Sequence, residues 1–247
     1  ERKTRCDLAV ENARERVAAE RRDQEKSDET LARLAALLAL ETLPERIESY
    51  DISNLGAEHK TCGMIVWEKG KFKKSDYRLF HIKSTETRDD YASMREALTR
   101  RLEHLSDSQG SFSELPDLIL LDGGRGHVST VREMLAERGM EIPVFGMVKD
   151  DFHKTRALCT DTEEISIARE RLVFPLIYRL QEEVHRFTVS RMDAAKRKTL
   201  THSSLTKIRG IGDAKAKALL SAFGGMAGVK AATVEELRGV KGISGSD

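Results

Sequence analysis

PDLILLD, at residues 116–122, is an uninterrupted apolar run that ends on an aspartate. Such runs are typical of strands that are buried on both faces of a parallel sheet, so the pattern predicts a central strand. A helix is predicted over Gly126–Arg138 and a second buried strand over Pro143–Val148. This order predicts two parallel neighbours, with Asp122 at the carboxyl end of the first strand.

Three strand patterns precede this unit. They are RIESYDIS at 46–53, TCGMIVWEK at 61–69 and DYRLFHIK at 76–83. Short polar turns separate them, which predicts an antiparallel meander. The next segment is predicted to be a helix, because its apolar residues form one stripe: Tyr91, Met94, Leu98, Leu102 and Leu105.

The remaining elements complete an α/β domain. Short strands are predicted at 157–159 and 164–168, and a long helix at 176–198. Three antiparallel strands, a helix, a strand, a helix, a strand and a late helix make the element order of an RNase H-like domain. We therefore predict a mixed sheet flanked by helices over residues 45–198.

Residues 1–44 are predicted to be a helical linker or packing segment without chemistry. Residues 5–26 are rich in Arg, Glu and Ala, which is typical of an exposed helix. Residues 28–41 have amphipathic spacing and predict a second helix, with Asp28 as its N-cap and Pro44 as its end.

Composition excludes several classes of protein. The 247 residues are 39% hydrophobic and 34% charged, with a net charge of +1, so the chain as a whole is neither strongly basic nor strongly acidic. It has no signal peptide and no apolar run long enough to span a bilayer. Cys6, Cys62 and Cys159 lack the spacing of a zinc site or a disulfide framework, which predicts a reducing, cytoplasmic location.

The first residue is not Met and the last motif is incomplete, which predicts a piece of a longer protein.

Two aspartates are placed to form a metal site. Asp51 lies mid-strand on a face of small or polar residues, where an unpaired carboxylate is costly. Asp122 lies at the crevice where open α/β sheets carry their sites. Together they predict a Mg²⁺ or Mn²⁺ site, because these ions prefer oxygen ligands. Taken singly, each aspartate favours a cap or a salt bridge, and it is their joint placement that favours a site.

Other titratable residues could join this site. His185 lies on the late helix with Glu182 one turn before it, and it is either a further ligand or proton shuttle, or a structural histidine. Asp89 and Asp90 open the helix after the meander, where acids complement the helix dipole. Asp89 is the expected cap, and Asp90 is able to point inward beside Asp51.

A second set of residues predicts contacts with phosphate. Lys149, His153 and Arg156 follow a buried strand in VKDDFHKTR, and ordinary surface charge is the alternative interpretation. The loop Gly123–Gly126 lacks the Lys-Ser/Thr ending of a phosphate-binding loop, so we predict a close-packing turn and no nucleotide cofactor.

The C-terminal region carries a polarised charge. From Arg186 to Lys217 there are nine basic and two acidic residues, which is typical of a nucleic-acid footprint. Residues 205–220, LTKIRGIGDAKAKALL, resemble a helix-hairpin-helix motif, and residues 240–244 begin a repeat of it that the chain does not complete. We therefore predict a small, all-helical, tandem helix-hairpin-helix domain over 199–247. Its expected DNA contacts are Lys207, Arg209, Gly210, Gly212, Lys215, Lys217 and Gly242.

Several motifs in this order resemble the C-terminal half of UvrC, a family of bacterial excision-repair nuclease subunits. They are YDISNLG at 50–56, RDDYASMREALTRRL at 88–102, PDLILLDGGRGH at 116–127, GMVKDDFHKTRAL at 146–158, LQEEVHRF at 180–187 and the hairpin. The resemblance covers almost everything from residue 45 onward. The family's N-terminal GIY-YIG nuclease, to which the 3′ cut is attributed, and the coiled coil that binds UvrB are not among these residues.

The resemblance implies incision of damaged double-stranded DNA on the 5′ side of a lesion, in complex with UvrB and, through it, UvrA. It implies Asp51, Asp90, Asp122 and His185 as the key residues. The chain departs from the family pattern in the late helix, where most relatives read like RDEAH. Gln181 there replaces a cation, and Glu182 replaces Asp. His127 stands where relatives often have Gln.

Two hypotheses of different classes follow. One is a metal-dependent endonuclease, with Asp51 and Asp122 holding Mg²⁺ or Mn²⁺, His185 as a further ligand or general acid/base, and Glu182 as another candidate ligand. The other is a catalytically silent DNA-binding or scaffold piece of the same repair complex. A third, another RNase H-like nuclease acting on RNA–DNA hybrids or junctions, is disfavoured by the hairpin repeat and the DDY motif.

Overall fold

The computed structural model describes residues 2–55, 59–83, 89–106, 112–150, 155–208 and 210–243. The chain divides into two compact units, Glu1–Val189 and Ser190–Asp247. This division falls within a single helix, nine residues before the boundary drawn from the sequence at 198. No helix in the described part of the chain has the length and apolarity that crossing a membrane requires.

The described residues of the first unit form eight strands. They are β1 Arg46–Leu55, β2 His59–Glu68, β3 Lys71–Phe72, β4 Arg78–His81, β5 Leu118–Leu121, β6 Val144–Lys149, β7 Thr155–Cys159 and β8 Glu164–Ser166. Its helices are α1 Arg2–Leu37, α2 Asp90–Glu103, α3 Arg125–Ala136 and the first part of α4 Val173–Thr206. Short 3₁₀ turns lie at Lys74–Asp76 and His104–Ser106.

The strands form one mixed sheet in the order β3-β2-β1-β5-β6-β7-β8, with β4 also paired to β2. Strands β1, β5 and β6 are parallel to one another, and the other pairings are antiparallel. The antiparallel meander and the parallel central strands predicted from the sequence are both confirmed. The strand β3 has only two residues, too few for a periodic pattern, and it was not predicted.

Helices cover both faces of the sheet. On one face, α4 and the end of α1 pack through Leu34, Leu180 and Val184. On the other face, α2 and α3 pack through Leu98 and Val131. The alternation of side chains along each strand divides these two cores, so the odd-numbered residues of β1 face α4 and the even-numbered ones face α2. The predicted sheet flanked by helices is therefore confirmed.

The N-terminal segment differs from its prediction. Residues 2–37 form one continuous helix instead of two, so Asp28 lies inside a helix and is not an N-cap. No Gly or Pro occurs near residue 27, so nothing in the backbone forces a break there. The helix ends at Leu37, seven residues before Pro44, and Ala39 then adopts a left-handed conformation with φ of 51°.

Strand β1 is anchored by a buried ion pair on the α2 face. Nη2 of Arg101 lies 2.8 Å from Oε1 of Glu48, and the side chains are 1% and 0% exposed. The hydroxyl of Tyr50 donates to Oε2 of the same carboxylate at 2.6 Å. Glu48 therefore has both a compensating charge and a hydrogen-bond donor inside the core, as a buried carboxylate requires.

The second unit is helical. Besides the last part of α4, it contains α5 Asp213–Ala222, α6 Met226–Ala231 and α7 Val234–Arg238. Two segments in it repeat one backbone pattern. Ile211 N donates to the carbonyl of Ile208 around Gly210, and Ile243 N donates to the carbonyl of Val240 around Gly242.

Candidate metal centre

The two predicted aspartates are neighbours on adjacent parallel strands. Tyr50 of β1 pairs with Leu121 of β5, so Asp51 and Asp122 each follow one member of that pair. The backbone N–H of Asp122 continues the ladder by donating to the carbonyl of Tyr50 at 2.8 Å. Both residues fall on the α4 face, because Leu121 and Tyr50 before them belong to the opposite core.

A glycine on β2 lets α4 come close to these aspartates. Gly63 is the register partner of Asp51, and a Cβ built on it would lie 2.0 Å from Oγ1 of Thr188. His185 precedes Thr188 by three residues, so the two share a face of the helix. The close approach at Gly63 thus places His185 over β1, with its Nδ1 3.3 Å from Oδ2 of Asp51.

Asp51, Asp122 and His185 form a group suited to a metal ion. One ligand atom from each lies within 4.8 Å of the other two. The Asp51 and Asp122 side chains are 7% and 6% exposed, whereas the His185 side chain is 57% exposed, so the group is open to solvent at the imidazole. The Oδ2 atom of Asp51 is buried, and among the described residues its partner is Nδ1 of the exposed His185, at 3.3 Å and without the geometry of a good hydrogen bond. A buried carboxylate oxygen with so weak a protein partner fits a cation ligand.

The electrostatics of the pair also favour a cation. Burial, and then the neighbouring Asp122 carboxylate, raise the pKa of Asp51 to about 6. His185 and Lys149 act in the opposite direction. Two carboxylates this close repel each other when both are ionised, and a divalent ion relieves that repulsion. The two carboxylates and one imidazole are a donor set that Mg²⁺ and Mn²⁺ accept.

Asp122 is held by two further side chains. Nζ of Lys149 lies 2.8 Å from its Oδ2, and Nε2 of Gln181 donates to its Oδ1 at 2.9 Å. Lys149, which the sequence predicted to contact phosphate, is therefore directed at a carboxylate in this structure. Gln181 was not predicted to be a site residue. The available signal was its spacing, because it precedes His185 by four residues and shares its face.

The other acidic candidates lie outside the group. Asp90 is paired with Lys60, at 3.0 Å, and its side chain is 46% exposed. Glu182 is exposed on α4. Neither belongs to the group of Asp51, Asp122 and His185 found among the described residues. Asp89 caps α2 as predicted, since its side chain accepts from Tyr91 N.

The loop after β5 packs closely, as its glycines predicted. A Cβ on Gly126 would lie 2.7 Å from the Tyr91 ring, and one on Gly123 would lie 2.5 Å from Nδ1 of His127. The rings of Tyr91 and His127 have centroids 4.6 Å apart. Burial lowers the pKa of His127, although Asp90 and Asp122 act in the opposite direction. From the sequence, His127 is only a departure from the family pattern, and no local pattern predicts this ring pair.

The predicted phosphate contacts of the first unit are only partly described. Arg156 forms an ion pair with Glu164 of the adjacent strand β8, at 2.7 Å. His153 lies outside the described residues. The arrangement therefore assigns Arg156 to a surface pair between strands.

The predicted contacts in the second unit are mostly exposed. Lys207, Gly210, Gly212, Lys217 and Gly242 are exposed, whereas Lys215 is half-buried and Arg209 lies outside the described residues. Gly210 and Gly242 have φ of 92° and 95°, a left-handed conformation that favours glycine. Gly212 is the N-cap of α5 and so lies at the positive end of that helix, which attracts anions.

Comparison with known proteins gives a family match for each of the two units. Residues 35–189 match the family model of the UvrC RNase H endonuclease domain, and residues 203–246 match a SAM-like helix-hairpin-helix tandem. UvrABC system protein C of Alkaliphilus oremlandii is 44% identical over 234 residues, which are 90% of this chain and 38% of that protein. The protein of that name from Clostridium acetobutylicum is 43% identical over 227 residues, 87% of this chain and 36% of that protein.

The chain thus spans under two fifths of the length of these curated relatives. A crystal structure of human ENDOV covers 70% of this chain and 96% of its own, at 13% identity and a TM-score of 0.35. A likeness at that score supports no argument about this chain. The predicted fold class, an RNase H-like domain followed by a helix-hairpin-helix domain, is confirmed by the two family matches.

Proposed function

The chain belongs to the UvrC family, and from this premise we propose that it is a metal-dependent endonuclease module of nucleotide excision repair. It cuts the damaged DNA strand by phosphodiester hydrolysis on the 5′ side of the lesion. The observation that carries the proposal is the group of Asp51, Asp122 and His185, in which two nearly buried carboxylates and an exposed imidazole each offer a ligand atom within 4.8 Å of the others. The side of the cut comes from the resemblance to the family.

The residues of the group take distinct roles. Asp51 and Asp122 hold Mg²⁺ or Mn²⁺, and His185 is a further ligand or exchanges a proton at its exposed edge. A bound divalent ion supplies a more acidic water and neutralises charge on the phosphate. Lys149, paired with Asp122, is near enough to the group to contact a phosphate once that pair opens. Asp90 and Glu182 lie outside the group and take no ligand role in this proposal.

The helical unit binds the DNA backbone in this proposal. Its exposed glycines allow a close approach of phosphate, and Lys207 and Lys217 add charge beside them. Contacts of this kind are independent of base sequence, as repair of varied lesions requires. We assign residues 45–198 to the nuclease and 199–247 to the DNA-binding domain. UvrB, and UvrA through the repair complex, are the proposed partners, and the cytoplasm is the proposed location.

A nicking assay tests the catalytic assignment. The full-length parent is incubated with UvrA, UvrB, lesion-containing duplex and Mg²⁺ or Mn²⁺, and wild type is compared with Asp51→Ala and Asp122→Ala. We expect both variants to lose the 5′ cut while the 3′ cut and DNA binding persist. Asp161→Ala is the matched control, because that carboxylate is half-buried and paired with Arg132 away from the group.

The assay also separates the alternative function. If Asp122→Ala and wild type make the 5′ cut equally well, the chain is a DNA-binding or scaffold module and its carboxylates are structural. Equal loss of DNA binding in both aspartate variants would instead contradict the metal-site assignment. A 5′ cut by wild type alone supports the proposed nuclease.

A further inference from the structure

Gln181 has a buried side-chain amide whose oxygen and nitrogen both form hydrogen bonds. Its side chain lies in α4 and the residue is 2% exposed. Nε2 donates to Oδ1 of Asp122 at 2.9 Å, and Oε1 accepts from Oγ1 of Thr155, which is also 2% exposed. The chain Thr155–Gln181–Asp122 therefore joins the first residue of β7 to the metal group through a buried side chain.

The hydroxyl of Thr155 determines which end of the amide faces the carboxylate. With Oε1 directed at Thr155, the amide presents an N–H to Asp122. A flipped amide would direct Oε1 at a carboxylate oxygen, and two acceptors cannot form a hydrogen bond. Thr155 is itself held in the sheet, because it is the register partner of Lys149 on β6.

The two partners of Asp122 differ in charge and in freedom. Lys149 is a cation whose side chain is 32% exposed, so it neutralises Asp122 and has room to move. Gln181 is neutral and buried, so it restrains one oxygen and leaves the negative charge of the carboxylate in place. An amide is thus suited to orient a carboxylate that must still attract a cation.

Gln181 and His185 also act as a pair along one helix face. They are four residues apart, and they reach the two different carboxylates of the group, Gln181 to Asp122 and His185 to Asp51. One turn of α4 therefore sets the position of both acids. From the sequence, Gln181 is only the loss of a cation relative to most relatives, whereas the structure gives it a specific partner.

We propose that Gln181, oriented by Thr155, is a positioning residue that presents Asp122 to the divalent cation. This inference rests on the proposed function, since it assumes that Asp122 is a metal ligand. Partners that orient a ligand typically change metal affinity by 10- to 100-fold when they are removed. The effect should appear in metal binding without DNA, and in kcat with little change in KM for DNA.

The test measures Mn²⁺ affinity of the 247-residue chain by calorimetry, with thermal unfolding in EDTA as the measure of folding. Gln181→Met keeps the size and removes the donor, and we expect Mn²⁺ to bind about 10-fold more weakly or worse. Thr155→Val removes the hydroxyl and should weaken binding several-fold in the same direction. Thr155→Ser keeps the hydroxyl and should restore the wild-type affinity within about two-fold.

The outcomes distinguish positioning from mere packing. A lower unfolding temperature with unchanged Mn²⁺ affinity in Gln181→Met, or a Thr155→Ser variant that binds as poorly as Thr155→Val, overturns the proposal. If Gln181→Met does not fold, the Thr155 pair decides the question alone. Asp122→Asn separates this proposal from the previous one. Wild-type Mn²⁺ affinity in Asp122→Asn refutes the metal site itself, whereas its loss there together with normal binding by Gln181→Met refutes only the positioning role.

Discussion

Gly63 and Thr188 touch where strand β2 and helix α4 cross, and no side chain larger than hydrogen fits between them. A Cβ on Gly63 would lie 2.0 Å from Oγ1 and 3.0 Å from Cβ of Thr188. Thr188 is fully buried, and its hydroxyl donates to the carbonyl of Val184 at 2.7 Å. Since His185 lies in the same turn, this contact sets the height of the imidazole above Asp51.

Gly63→Ala should therefore disturb both stability and the site. We expect a loss of about 1–3 kcal/mol in the free energy of unfolding, because the added methyl overpacks the crossing. Mn²⁺ affinity should fall with it, as α4 moves away from β1. Urea unfolding and calorimetry measure the two effects. Gly124→Ala is the control, because no atom lies within 4 Å of a Cβ built there.

A double-mutant cycle checks the cause of that loss. Thr188→Ala removes the nearest atom, so Gly63→Ala should cost clearly less in the Thr188→Ala background than alone. Additive free energies would show that the crossing is not the origin of the effect.

Asp51 should make the metal-free protein less stable at neutral pH. Its pKa is raised to about 6 by burial and by Asp122, above the value of 3.8 for an ordinary Asp. The folded state thus binds more protons than the unfolded state between pH 4 and 6. The protonated Asp51 therefore makes its full contribution to the free energy of unfolding below pH 4, and this contribution is lost as the pH rises through about 6.

Asp51→Asn, which stays neutral, should therefore be more stable than wild type above pH 6 in EDTA. A pKa difference of about two corresponds to roughly 2–3 kcal/mol, and the difference should shrink toward zero near pH 4. Urea unfolding across pH 4 to 8 measures it, with Asp23→Asn on the exposed part of α1 as control. A difference that is the same at every pH would contradict the assigned cause.

The buried pair of Arg101 and Glu48 should respond strongly to the loss of one partner. Arg101→Met leaves the fully buried Glu48 without its main cation, and we expect a loss of about 3–5 kcal/mol. Arg95, on the same helix as Arg101, forms an exposed pair with Glu137 at the end of α3, and Arg95→Met should cost less than about 1 kcal/mol. Equal losses in the two variants, measured by urea unfolding, would show that burial does not control the effect.

The glycines of the hairpin should separate folding from DNA binding. Gly210→Ala places a side chain at φ of 92°, which costs about 1–2 kcal/mol in the helical unit.

Gly212 has φ of −84°, and no atom lies within 4 Å of its Cβ position. Gly212→Ala should therefore cost the helical unit less than Gly210→Ala, chiefly through the weaker N-cap, but bind duplex DNA more weakly because its methyl group obstructs the phosphate. Thermal unfolding and a binding titration at fixed salt test both. Unchanged DNA affinity in Gly212→Ala would remove this turn from the DNA interface.

Local sequence patterns were enough for most of the sheet. Continuous apolar runs identified β5 and β6, and alternation identified β1, because burial on one or both faces leaves a direct trace in the order of residues. The same patterns failed where no local signal exists. Nothing marked the extra pairing of Lys71–Phe72, and the change in composition near residue 27 suggested a break that the backbone does not need.

The sequence by itself determined that Asp51 lies on a polar strand face and that Asp122 ends a buried strand, which made the two a candidate metal site. The tertiary structure decided that β1 and β5 are parallel neighbours and so brought the two carboxylates together. The crossing of α4 over Gly63 adds Gln181 and His185 to them, whereas Asp90 of α2 pairs with Lys60 of β2. These contacts join residues up to 134 positions apart, as Asp51 and His185 show. Packing between elements so far apart in the chain produces no periodic pattern of residues, so the sequence alone does not reveal it.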